Sequence, residues 1–264
     1  RQTTTGRNKV YRFRLFLGGA AIVSACCVPL VAYFVAAHRH AKWHIIYIMA
    51  YDNDLARHQG FILDAIERGV TSAETLATVL ADDPEPNGLT RYVISPRGRT
   101  AQRLITDDIA SEAVLSDFLR WVATAHPAEK YAVVFLDHGG RLDELCFDEQ
   151  PGGGSTKHWL NARVVVDRLR AFRAVVPGSV ELVFLQQCGR GSVQNLYNFR
   201  GTAKAVLASQ HDVGAPNTYY EPTLRWLVAH PDASGADLAS RIMADDRDFV
   251  TYCCVDGERL GELP

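Results

Sequence analysis

Apolar residues in this chain fall into short unbroken runs, separated by segments with helical spacing. His44-Ile-Ile-Tyr-Ile-Met-Ala50 is one such run, and it ends at a polar turn, Asp52-Asn53-Asp54. A strand exposed on one face would alternate, so this run predicts a strand buried on both faces. Leu55, Phe61, Ile62, Ala65 and Ile66 then recur at helical spacing, with Gly69 placed to end the helix. Strands are predicted over 74–80 and 91–95. A helix is predicted over 107–125, where Ile109, Val114, Leu115, Phe118, Leu119 and Val122 share a face. Tyr131-Ala-Val-Val-Phe-Leu136 and Val180-Glu-Leu-Val-Phe-Leu185 are the clearest strands. Between them, residues 141–158 are Gly-rich and polar and read as a loop with room for a short hairpin. Helices over 161–174, 192–199, 221–230 and 235–247, and a strand over 203–208, complete the pattern. Strands alternating with helices predict an α/β fold: a mostly parallel central sheet with helices on both faces.

The N-terminus follows a different rule. From Leu15 to Ala37 no residue is charged, a run of 23 residues. About 20 suffice for a helix to cross the hydrocarbon core, and Pro29 can kink such a helix without forbidding it. Arg1, Arg7, Lys9, Arg12 and Arg14 precede the run, and Arg39 and Lys42 follow it. The positive-inside bias then predicts a basic cytoplasmic tail over 1–14, a transmembrane helix over 15–37, and a folded domain over 43–264. That domain would lie on the non-cytoplasmic side of a single-pass membrane protein. Three readings compete. A cleaved signal peptide has an apolar core of only about 7–15 residues. A lipoprotein signal at Val23-Ser24-Ala25-Cys26 would turn polar after the cysteine, whereas this stretch stays apolar through Ala37. A buried soluble helix is the third. His38, His40 and His44 straddle the exit of the run and read as interfacial residues rather than metal ligands.

Composition removes several classes. A net charge of −2 gives no sign of nucleic-acid binding. The six cysteines contain no Cys-x-x-Cys pair, which excludes a zinc ribbon, and a dense disulfide framework is not expected at this length. The adjacent Cys253 and Cys254 read as core or surface thiols. There is no Gly-x-Gly-x-x-Gly or Walker loop for a nucleotide, and no Gly-x-Ser-x-Gly elbow for a serine hydrolase.

Open α/β sheets carry their sites beyond the carboxyl ends of the strands. Two strands here end in reactive residues: 131–136 delivers Asp137-His138-Gly139-Gly140, and 180–185 delivers Gln186-Gln187-Cys188-Gly189. On neighbouring parallel strands, the imidazole and the thiol would emerge at one edge. Nucleophilic catalysis needs that layout: a thiol, a base within hydrogen-bond reach, and donors for an oxyanion. His138 would take the thiol proton and later protonate the leaving amine. The N–H groups of Gly139 and Cys188 are the oxyanion candidates, and a helix starting just past Cys188 would lower the thiol pKa. Either residue alone is more simply a core thiol or a turn histidine. The pair at two strand ends, 50 residues apart, is much less common by chance. Asp52 and Asp54 read as caps for the turn and first helix.

The spacing also resembles the caspase signature, Gln-Ala-Cys-[Arg/Gln/Gly]-Gly with a histidine about 50 residues upstream, from which Gln186-Gln187-Cys188-Gly189-Arg190 departs at Gln187 and Arg190. The wider sequence is more similar to the clostripain family of that clan. Tyr51-Asp52-Asn53-Asp54-Leu55 resembles the turn after the family's first strand, and Phe135-Leu136-Asp137-His138-Gly139-Gly140 its histidine motif. Val183-Phe184-Leu185-Gln186-Gln187-Cys188 resembles its strand and cysteine, with Leu207-Ala208-Ser209-Gln210 on the next strand. The resemblance implies a caspase-like three-layer fold and a cysteine endopeptidase that cuts protein or peptide substrates without a required cofactor or metal. Many members cut after Arg or Lys, and in those an Asp two residues before the cysteine lines the specificity pocket. Gln186 holds that substrate-binding position here, and a neutral amide cannot pair with a basic side chain as a carboxylate does. Related enzymes self-cleave between the catalytic residues, which makes Arg141 and Lys157 candidate cut sites beside the simpler reading of an uncut loop. Some members depend on calcium, and Asp143, Glu144, Asp148 and Glu149 are a candidate calcium cluster, with a solvated charge run as the alternative. The competing function is a catalytically silent caspase-like domain that serves as a binding or signalling module.

Overall fold

The computed structural model describes residues 41–84, 87–149, 157–247 and 251–263. The expected tail 1–14 and span 15–37 lie outside them. Among the described residues, no helix is long and apolar enough to cross a membrane.

The chain runs β1 (Ala41–Met49), α1 (Gln59–Gly69), β2 (Thr75–Pro84), β3 (Asn87–Ser95), β4 (Gly98–Arg103), α2 (Glu112–Ala125) and β5 (Ala128–Leu136). It continues with β6 (Glu144–Asp148), β7 (His158–Asn161), α3 (Ala162–Val175), β8 (Ser179–Gln186), α4 (Val193–Asn198) and β9 (Ala205–Ser209), and closes with α5 (Tyr220–Ala229), α6 (Gly235–Asp245) and β10 (Tyr252–Asp256). Eight strands form one sheet in the order β10-β9-β8-β5-β1-β2-β3-β4, and β6 and β7 form a separate hairpin. The five strands from β9 to β2 are parallel to their neighbours, while β10, β3 and β4 are antiparallel.

The apolar runs have the physical cause that their pattern implies. Ile46, Ile48, Val133, Phe135, Val183 and Leu185 face a core closed by Leu115, Phe118 and Leu119 of α2 and Val165, Leu169 and Phe172 of α3. Ile45, Tyr47, Val134, Leu182, Phe184 and Leu207 face a second core under Ile62 and Ile66 of α1, Leu224 and Leu227 of α5, and Leu238 and Ile242 of α6. Both faces of the central strands are dry, so alternation disappears and β-branched and aromatic residues follow without a break. Polar side chains cap the starts of α3 and α6. Asn161 accepts from the N–H of Arg163 at the start of α3, and Ser234 and Asp237 form a reciprocal capping box on α6.

Several expectations are corrected. Phe61 lies on the outer face of α1, 51% exposed, where Leu63 takes the inward position expected of it. β4 and β10 were not expected. β4 is polar because it is an exposed edge strand held by main-chain pairing to β3. His44 is not interfacial: it is fully buried in β1, with Nδ1 3.0 Å from the His126 carbonyl and Nε2 2.9 Å from Thr78 Oγ1. Burial lowers its pKa from 6.5 to about 3, so the ring is neutral.

Candidate active site

β5 and β8 are adjacent and parallel, and their last paired residues are Leu136 and Gln186. His138 and Cys188 each lie two residues beyond that pair. Neighbouring strands are about 4.8 Å apart, so equal overhang brings both residues to one rim of the sheet. The two loops touch. A Cβ on Gly139 would collide with the carbonyl oxygen of Cys188 and come within 3.2 Å of Arg190 Nε. Only glycine allows the backbones this close.

Each loop has its own fastening. The buried carboxylate of Asp137 accepts from Asn53 Nδ2 at 2.9 Å and from the N–H groups of Phe147 and His138. Burial still holds its pKa well above the usual carboxylate range. Asn53, not Asp52 or Asp54, caps the turn, accepting from the N–H of Leu55 at 3.0 Å. Asp54 meets the imidazole instead, with Oδ1 2.7 Å from His138 Nε2, and that hydrogen bond lowers the Asp54 pKa. The Asp54 and His138 side chains are 68% and 39% exposed, so water weakens the pair.

Cys188 is half-buried. Its Sγ accepts from the N–H of Val213 at 3.3 Å and lies 3.5 Å from the Val213 carbonyl. Among the described residues, no hydrogen bond joins His138 to Cys188.

The helix expected just past Cys188 starts later. Residues 188–191 are a turn, Gly189 has a left-handed φ of +66°, and α4 begins at Val193 with Ser192 as its cap. A six-residue helix five positions on contributes little at the sulfur, since dipole effects fade within a turn. The positive charge comes from Arg190. Its Nε donates to the Cys188 carbonyl at 3.1 Å, Nη1 to those of Arg141 at 2.8 Å and Glu144 at 3.1 Å, and Nη2 to that of Gly140 at 2.7 Å. One buried guanidinium thus ties the cysteine loop to the histidine loop. Burial lowers its pKa, and its attraction to Cys188 and Glu144 works against that. In the sequence Arg190 stood out only as a departure from the caspase signature. Its signal was an arginine at the end of a buried strand, which must be fully hydrogen-bonded.

Gln186 is 4% exposed, and its amide is spent. Nε2 donates to Asn217 Oδ1 and to Tyr220 Oη at 2.8 Å, and Oε1 accepts from Tyr219 Oη at 2.6 Å. Asn217 in turn donates to the buried Asp246 at 2.7 Å, which also accepts from Tyr252 Oη at 2.7 Å. The amide N–H groups of Gln186 are therefore taken by the protein, and its position is behind the rim.

The loop 141–158 contains the hairpin β6–β7, with residues 150–156 outside the described set. Arg141 is held through both its carbonyl, by Arg190, and its N–H, which donates to Glu144 Oε2 at 2.7 Å. Lys157 pairs with Glu149. The expected acidic cluster is dispersed: Asp143 is exposed, Glu144 and Glu149 have the partners just named, and Asp148 is fully buried.

Known proteins share this fold. The model of the clostripain family matches residues 49–262. No curated protein sequence matches the chain. Among solved structures, a secreted C11 cysteine protease from Bacteroides thetaiotaomicron, in complex with an irreversible peptide inhibitor, is 17% identical with a TM-score of 0.66, covering 84% of this chain and 68% of that one. An inactive zymogen C11 protease from Parabacteroides distasonis is 14% identical with a TM-score of 0.63, covering 84% of this chain and 64% of that one. At such identities the likeness is one of fold, an α/β architecture on a large, mostly parallel sheet. The family match spans most of the chain, and the chain belongs to the clostripain family as a cysteine-type peptidase.

Proposed function

We propose that this peptidase is an endopeptidase with a Cys188–His138 dyad, tethered to a membrane by residues 15–37. The observation that carries it is the shared register of Leu136 and Gln186, which sends both reactive residues off one rim. His138 accepts the thiol proton, and the Cys188 sulfur attacks the peptide carbonyl. The resulting oxyanion is held by the N–H groups of Gly139 and Cys188. The tetrahedral intermediate collapses as the imidazolium protonates the leaving amine, which leaves a thioester on Cys188. Water, deprotonated by His138, then releases the acid and restores the thiol. Asp54 orients the imidazole, and Arg190 ties the cysteine loop to the histidine loop. Gln186 supports the specificity pocket through Asn217, Tyr219 and Tyr220, and the neutral pair Gln186–Asn217 disfavours a basic residue before the cut.

The test uses the full-length chain and an acyloxymethyl ketone peptide probe. Wild type should label, Cys188→Ala should not, and Cys253→Ala should label like wild type. Labelling that survives Cys188→Ala sinks the assignment. Loss of the chain from the membrane fraction on deletion of residues 15–37 tests the tether. Retention there would refute it.

A further inference from the structure

We infer that Asp52, Asp82 and Asp148 form a calcium site. Asp52 lies in the turn after β1, Asp82 near the end of β2, and Asp148 at the end of β6. Their relative exposures are 1%, 0% and 0%, and one oxygen from each lies within 4.8 Å of the others. Both oxygens of Asp82 are buried without a hydrogen-bond partner among the described residues. Asp148, Asp52, Asp83 and Asp107 are acidic groups that act on Asp82. A buried carboxylate with neither a donor nor a cation is costly, and two further carboxylates at the same point add repulsion. Asp148 Oδ2 accepts from the N–H of Ile109 at 3.1 Å, but Asp82 has no such donor among the described residues. A divalent ion would neutralise the group and supply the partner that Asp82 lacks.

The donor set selects the ion. All three ligands are carboxylates, with no imidazole or thiolate, which argues for a hard cation over zinc. Magnesium dehydrates reluctantly and usually keeps several waters, whereas calcium accepts a cage of protein carboxylates such as this buried one. Three carboxylates can supply up to about six oxygens, the lower end of calcium's range.

The site joins three segments that are distant in sequence, and two of them frame the histidine loop. Asp52 precedes Asn53, which holds Asp137, and Asp54, which holds His138. Asp148 follows Phe147, whose N–H binds Asp137. This calcium site is separate from the acidic surface run that the sequence suggested, and Asp148 is their one common member.

The experiment uses the full-length chain stripped with EDTA and titrated with CaCl2. Calorimetry should show about one calcium per chain, and the melting temperature should rise by roughly 5–10 °C at a hundredfold excess over Kd. Asp82→Asn and Asp148→Asn should each abolish that rise. Glu149→Gln, which removes a surface carboxylate of the same hairpin region, should keep it. No binding heat and no shift in the wild type would overturn the inference, as would a shift that persists in both Asp variants. An equal shift with MgCl2 would overturn the choice of calcium. If Asp82→Asn fails to fold, Asp148→Asn and the wild-type titration still decide. None of these readouts depends on peptidase activity.

Discussion

Arg190 is the residue whose removal should cost most for its distance from the chemistry. It donates four hydrogen bonds of 2.7–3.1 Å, to the carbonyls of Cys188, Gly140, Arg141 and Glu144, from a side chain that is 4% exposed. Hydrogen bonds from a charged donor contribute about 1.5–3 kcal/mol each, but that sum is offset by burying the cation, and such bonds are not additive. Arg190→Met keeps the stem and removes every donor, so about 3–5 kcal/mol of stability should be lost. Arg190→Lys keeps the charge but not the fork. An ammonium cannot reach carbonyls in both loops at once, so roughly half of that loss is expected. The two loops carry base and nucleophile, and a misplacement near 1 Å costs about a hundredfold in rate. Both variants should therefore lose at least about a hundredfold in kcat/KM at temperatures where they remain folded, with kcat falling more than KM rises. Urea unfolding and turnover of a fluorogenic peptide measure the two effects. Stability of Arg190→Met within about 0.5 kcal/mol of wild type would refute the stapling role. Normal kcat in folded Arg190→Lys would refute the positioning role.

Three further outcomes are expected. Gly139→Ala places a methyl group against the Cys188 carbonyl, so the loops must part; kcat/KM should drop by about 10²–10³ with a modest loss of stability, and activity near wild type would show that this contact is irrelevant. Asp54→Asn removes an exposed partner worth at most about 1 kcal/mol, so kcat/KM should fall no more than about fivefold; a thousandfold loss would make Asp54 a full member of the catalytic group. His44, with a pKa lowered to about 3, stays neutral in the fold while the unfolded chain takes up a proton below 6.5. Its contribution is thus complete above pH 6.5 and is lost as pH falls toward 3, at about 1.4 kcal/mol per unit, or about 2 kcal/mol by pH 5. Urea unfolding at pH 7 and pH 5 should show a drop about 2 kcal/mol larger for wild type than for His44→Gln, and equal drops would exclude His44 as the cause.

The hydrophobic pattern alone determined the central sheet. Runs such as 44–50, 131–136 and 180–185 are apolar without a break because both faces are dry, and that local signal survives in one dimension. It also placed His138 and Cys188 at strand ends. The polar edge strand β4 left no such trace, since it contributes backbone hydrogen bonds rather than buried side chains. What only the tertiary structure decided concerns partners far apart in the chain. Asp54 reads as a cap until the fold sets it 2.7 Å from His138. Arg190 reads as a signature mismatch until four carbonyls from two loops surround it. Asp148 reads as one charge in a surface run until β6 turns it inward to Asp52 and Asp82. Burial follows from local composition and can be read residue by residue. Electrostatic partnership depends on distances that chain closure alone sets, so no spacing in the sequence encodes it.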